Sequence, residues 1–174
     1  EIEKMNKARL EAQQAEIVAA QQKEMKRRLN LPRFFVVESM KAGSPITKLN
    51  PFVIEKALSG NVGSVVSVKK INRQDQKLLL VEVRNDAQSR NIIKMTEMAT
   101  VPVKVSEDKR LNQSKGVIRT RELDDVDEVE ILDNLRSQGV TSVRRMVIKR
   151  DGKEIVTGCY IMTFDSPKLP EKIK

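Results

Sequence analysis

Arg119 and Arg121 alternate with Ile118 and Thr120 in the stretch Ser114-Lys115-Gly116-Val117-Ile118-Arg119-Thr120-Arg121-Glu122-Leu123. In an extended strand, alternate side chains share a face. Both guanidinium groups therefore point one way and the Ile118/Thr120 pair the other. A guanidinium stacks on a nucleobase and forks onto phosphate, so the pair can hold a nucleic acid without an aromatic ring. Other cations cluster before and after it. Lys109, Arg110 and Lys115 lead into the stretch, and Lys149, Arg150 and Lys153 crowd the turn Asp151-Gly152. Lys69, Lys70 and Arg73 crowd an earlier turn, and Arg84 follows. The strand before Asp151 offers Arg145, Val147 and Lys149 on one side, or Arg144, Met146 and Ile148 on the other. The candidate nucleic-acid-binding set is Lys69, Lys70, Arg73, Arg84, Lys109, Arg110, Lys115, Arg119, Arg121, Arg145, Lys149 and Arg150.

Little else in the chain can do chemistry. Its 174 residues include no His, which removes the commonest general base and metal ligand. One Cys excludes an internal disulfide and a Cys/His zinc site. Cys159 lies in an apolar run and reads as a buried small hydrophobe. No glycine-rich phosphate loop is present. The expectation is a protein that is not an enzyme and takes no cofactor. Lys and Arg number 33 against 24 acidic residues, a net charge of +9, which favours polyanionic partners. The longest apolar run is far short of a membrane span, and no secretory leader opens the chain. A start at Glu1 reads as a piece of something longer, soluble and intracellular.

These cations need a frame. Residues 1–31 hold no Gly or Pro and are helical by propensity. Leu10 and Ile17 lie one heptad apart, as do Val18 and Met25, and Met5, Ala12 and Ala19. Two readings follow: a coiled coil that makes a homo-oligomer, or a single charged helix. Lys23, Lys26, Arg27 and Arg28 add charge, and Asn30-Leu31-Pro32 stops the helix. From Arg33 the order is a strand (Arg33–Glu38), a helix capped by Asn50-Pro51 and closed by Gly60, and strands at Val65–Ile71 and Leu78–Val83. A helix capped by Asp86 and a strand at Val101–Val105 follow; its Pro102 argues for an edge. From Gly116 to Glu122 a new unit opens. It continues with a helix capped by Asp124 or Asp125, a hairpin of Val140–Arg150 and Ile155–Phe164, and a helix starting at Ser166-Pro167.

The fold class is therefore α+β: an N-terminal helix (1–31), then two βαββαβ units, 33–111 and 114–174, the second lacking its last strand. Twice-repeated βαββαβ on a basic chain suggests tandem RNA-recognition-type (RRM-like) domains, with antiparallel strand order 4-1-3-2 and the 114–123 strand mid-sheet. The aromatic signature of the third strand finds its nearest match in Thr157-Gly158-Cys159-Tyr160-Ile161-Met162-Thr163-Phe164. With Gly158 on the signature glycine, Cys159 and Ile161 are exposed, and Tyr160, Met162 and Phe164 face the core. The matching face of the first unit holds Leu78, Leu80, Glu82 and Arg84, or Leu79, Val81 and Val83. Neither unit shows stacking rings there, and Phe34 or Phe35 is the remaining candidate. Seven acids between Glu122 and Asp133 polarise the second unit into an acidic helix and a basic sheet. Phosphate contacts then dominate, with little sequence selectivity. A protein-assembly module built on the same units is the competing expectation.

The segments 46–56, 66–70, 79–83, 111–119 and 164–170 resemble, in the same order, the Gag-like proteins of Jockey-type non-LTR retrotransposons of arthropods. The first of them reads Ile46-Thr47-Lys48-Leu49-Asn50-Pro51-Phe52-Val53-Ile54-Glu55-Lys56. The resemblance runs from Arg33 to Lys174. It implies a nucleic-acid-binding, particle-forming protein that packages its element's transcript and assists target-primed reverse transcription. It also implies a cytoplasmic ribonucleoprotein with access to the nucleus. That family carries downstream zinc knuckles, which this chain lacks. The resemblance does not assign RNA contacts to residues.

Overall fold

The computed structural model describes residues 2–25 and 30–174. Lys26, Arg27, Arg28 and Leu29 of the N-terminal arm lie outside the described residues. The chain divides into two compact units, Glu1–Asp108 and Lys109–Lys174. The N-terminal helix is thus part of the first unit, not a separate arm. Among the described residues no helix is long and apolar enough to cross a membrane.

The first unit contains α1 (Ile2–Met25), β1 (Phe34–Ser39), α2 (Pro51–Asn61), β2 (Ser67–Arg73), β3 (Gln76–Glu82), α3 (Asp86–Ile92), β4 (Glu97–Met98) and β5 (Val101–Glu107). Its antiparallel sheet has the order β2-β3-β1-β5-β4. α2 starts as its sequence dictates: the Asn50 side chain accepts from the Phe52 N–H at 2.9 Å, and Pro51 opens the first turn. The helix does not close at Gly60 but runs through it to Asn61. Asn85, not Asp86, caps α3, accepting from the Gln88 N–H at 2.9 Å. The two-residue β4 was not expected. It forms because Ala99 and Thr100, both at positive φ, turn the chain back onto β5. Pro102 lies opposite Met40, just past the end of β1, so its missing N–H costs no ladder bond.

The main core cluster of this unit lies on one side of the sheet, although Val36 and Leu78 on the other side are also buried. Phe35, Val37, Leu79, Val81, Val103 and Val105 face Ile54, Leu58 and Ile92 of the helices. Phe34, Val36, Leu78 and Leu80 alternate with them and fall on the opposite face. That settles the phase of the third strand: Leu79, Val81 and Val83 are core.

α1 neither stands alone nor shows a plain apolar seam. Gln14 Nε2 donates to the Thr96 and Val103 carbonyls, each at 3.1 Å, and Gln21 Nε2 donates to the Val105 carbonyl at 3.0 Å. Val18 packs against the core, and Leu10 and Ile17 are half-buried beside it. The Leu10–Ile17 row read as a heptad seam is therefore interleaved with glutamines. The reason is its partner: past β4, the outer edge of β5 offers open carbonyls, which need donors rather than methyl groups. Each such bond contributes about 1 kcal/mol net.

The second unit contains β6 (Ser114–Arg119), α4 (Glu128–Leu135), a short 3-10 turn Arg136–Gln138, β7 (Val140–Arg150) and β8 (Lys153–Phe164). The sheet order is β6-β8-β7. The expected mid-sheet strand is thus an edge strand, and it ends at Arg119 rather than Glu122. Tyr160, Met162, Phe164, Val140 and Val143 pack on Ile131 of α4. The cap of α4 is Asp127, not Asp124 or Asp125. Residues 166–174 form no helix. They run irregularly along the helical side, where Gln138 bonds both the N–H (2.7 Å) and the carbonyl (2.6 Å) of Lys174, and Ile173 packs on the core.

Candidate nucleic-acid interface

The face of the second unit opposite its core is fixed by the register of three strands. Val117 pairs with Ile161, which pairs with Arg144; Lys115 pairs with Thr163, which pairs with Ser142; Arg119 pairs with Cys159. Because Tyr160, Met162 and Phe164 point into the core, Cys159, Ile161 and Thr163 point out. Lys115, Arg119 and Arg144 are exposed and surround an aliphatic floor of Val117 and Ile161. The floor has no aromatic ring. Along β6 the exposed and half-buried residues alternate from Ser114 to Arg119, as predicted for Arg119 and Ile118. Arg121, however, lies past the strand end, with its Cγ 3.6 Å from where a Cβ on Gly158 would sit.

Gly158 is required at that place. Its φ is +68°, and an added Cβ would approach the Thr120 carbonyl oxygen to 3.3 Å. The Thr120 N–H donates to the Gly158 carbonyl at 2.9 Å, so the glycine ties the end of β6 to β8.

Arg145 lies on the other side of the sheet from this face. Its Nη2 donates to the carbonyls of Leu123 (3.2 Å) and Val126 (2.8 Å), and its guanidinium sits 5.5 Å over the Tyr160 ring. Its backbone N–H donates to Glu128 Oε1 at 2.6 Å. Arg145 therefore anchors the connection from β6 to α4 and is not presented to a ligand. Arg144, the alternative from the sequence, is the exposed cation. No signal within β7 distinguishes two adjacent arginines. The pairing of Val143 with buried Met162 is what sets the phase.

Tyr160 completes this anchor. Its hydroxyl donates to Asp124 Oδ1 at 3.0 Å. Burial, and then the Asp124 bond, raise its pKa above the ordinary 10.0, while Arg145 pulls the other way. The unfolded chain therefore loses this proton first. The phenol's contribution to stability is whole below pH 10.0 and is lost as pH rises through the raised folded value. Tyr160→Phe is expected to lower neutral-pH stability by about 1 kcal/mol and to flatten the alkaline loss, both read from urea melts between neutral and alkaline pH. Equal alkaline slopes for the two proteins would refute this account.

The remaining candidates scatter. Arg73 pairs with the buried Asp108 carboxylate at 2.5 Å. Lys69 and Lys70 are exposed on opposite faces of β2, and Arg84 is exposed just after β3. Lys109 and Arg110 occupy the turn between β5 and β6. Lys149 and Arg150 lie near the β7–β8 turn, Lys149 being 3.9 Å from Glu154. The acids gather elsewhere: Glu122 to Asp133 all lie in α4 or the connection before it, and Glu128 and Asp124 among them serve the anchor.

A protein-family model described as "Domain of unknown function (DUF8775)" matches residues 115–174, which begin at Lys115 on β6 and take in α4, β7 and β8. No curated protein matches the chain.

Proposed function

We propose that this chain binds RNA or single-stranded nucleic acid as the Gag-like protein of a Jockey-type non-LTR retrotransposon, packaging the element's transcript into a cytoplasmic and nuclear ribonucleoprotein. The observation that carries the reading is the second unit's open face, where Lys115, Arg119 and Arg144 ring an aliphatic floor. The strand orders support RRM-like units. β2-β3-β1-β5 is the order 4-1-3-2 read from the other edge, and β6-β8-β7 is that order without a fourth strand. With no ring on the face, stacking falls to guanidinium planes, and phosphate pairing dominates affinity. Such binding tolerates many sequences, as packaging a whole transcript requires.

Salt-titrated anisotropy with a long single-stranded RNA tests this. The expected result is a linear fall of log affinity with log salt, steeper by about 0.7 for each phosphate neutralised. A flat salt response would overturn the reading.

A further inference from the structure

The β7–β8 hairpin outruns its sheet. β6 pairs with β8 only from Cys159 to Phe164, so residues 153–156 have β7 as their one strand neighbour. Met146, Val147, Ile148, Ile155 and Val156 are 40, 45, 51, 42 and 46 % exposed. Strands normally bury such side chains, and a bare two-stranded ribbon is marginal in water. The ribbon is nonetheless regular, closed by Asp151 and Gly152 at positive φ, a tight two-residue turn.

Its register gives two unlike faces. Val147 opposite Val156 and Lys149 opposite Glu154 form one; Ile148 opposite Ile155 and Arg150 opposite Lys153 form the other. The first is charge-balanced, with Lys149 Nζ 3.9 Å from Glu154 Oε1. The second carries two cations and no acid.

We propose that the Val147/Val156 face is a self-association surface that packs on the same face of a second copy. A twofold axis along the ribbon lays β7 of one chain over β8 of the other. Val147 then covers Val156 of the second copy, and Lys149 meets Glu154 of the second copy, in both directions. The charge pattern is self-complementary under that rotation. The Ile148/Ile155 face is not: its cations would meet cations, so it stays free for polyanions. The patch is smaller than the roughly 1,200 Å² of a standard interface, so isolated chains associate weakly. On one long RNA, the proposed function would hold chains at high effective concentration and make the association cooperative. The self-association itself does not depend on that function.

Sedimentation velocity of the full chain without nucleic acid provides the test. The native chain should associate reversibly as concentration rises. Lys149→Glu and Glu154→Lys each set like charges across the axis and should weaken association by about tenfold or more. An equal mixture of the two variants should restore it, because every crossing pair is then of opposite sign. The intrachain pair stays broken in both variants, so recovery on mixing cannot come from repairing the hairpin. No association of the native chain, no loss in the single variants, or no recovery on mixing would each overturn the proposal. So would single variants that keep self-association but lose RNA affinity, which would assign this face to nucleic acid.

Discussion

Alanine at Lys115, Arg119 and Arg144 together is expected to reduce affinity for a long single-stranded RNA by about 100-fold at low salt. The log–log salt slope should become shallower by about 2, at about 0.7 for each phosphate no longer neutralised. The three side chains are exposed and, among the described residues, none has a hydrogen bond or ion pair to another group, so thermal stability should change little. Net charge alone must be separated from position. A control carrying Lys48→Ala, Lys56→Ala and Lys94→Ala removes the same charge from exposed sites in and around the helices of the first unit. It should lose far less affinity, because those cations do not share one face with an aliphatic floor. Equal losses in the two triples would mean that the protein attracts RNA by its overall charge, and the open face would have no special role.

The second large effect concerns Arg145. Arg145→Ala should destabilise the protein by about 3 kcal/mol in urea unfolding, while Arg144→Ala, one residue away, should stay within about 0.5 kcal/mol. The difference follows from their surroundings. Arg144 ends in water on the open face. Arg145 holds two carbonyls of the β6–α4 connection and covers the Tyr160 ring, so truncation takes a charged donor from both oxygens and leaves the Leu123 oxygen only the Val126 N–H at 3.1 Å. Arg145→Lys should recover little, since one ammonium cannot reproduce a planar group that reaches both carbonyls and lies over a ring. RNA affinity should order the pair the other way, with Arg144→Ala the weaker binder among folded molecules. Similar stabilities for the two alanine variants would remove Arg145 from its anchoring role.

The contrast between these neighbours shows where sequence reading stops. In β8, the inward face was legible because Tyr160, Met162 and Phe164 recur at every second residue and are the largest apolar groups there. In β7 the phase was open, because Arg144 and Arg145 are alike in type and a bulge lies just beyond them, between Arg145 and Val147. A cation can equally be a ligand group or an internal donor; the choice depends on which carbonyls another segment leaves uncovered. Arg73 repeats the lesson: it read as a free hairpin cation, but it pairs with Asp108, 35 residues on. In α1, Leu10 and Ile17 were visible as a seam, yet the residues of that row that bond the sheet are Gln14 and Gln21, which periodicity of apolar residues passes over.

What the sequence determined by itself was local. Asn50-Pro51 starts α2, Asp151-Gly152 turns the hairpin, and the alternation around Ile118 and Arg119 separates buried from exposed side chains. These follow from dihedral preference and from a period of two, which need only near neighbours. The tertiary structure decided the strand order, and with it the edge position of β6, the join of α1 to β5, and the choice of Arg144 over Arg145. Those depend on which backbone groups and side chains meet across long sequence separations. Composition and spacing carry no record of that pairing. The strand Ser114–Arg119 therefore keeps Lys115 and Arg119 but not Arg121, and it presents them at the rim of a three-stranded sheet, beside a cation that only the strand register could supply.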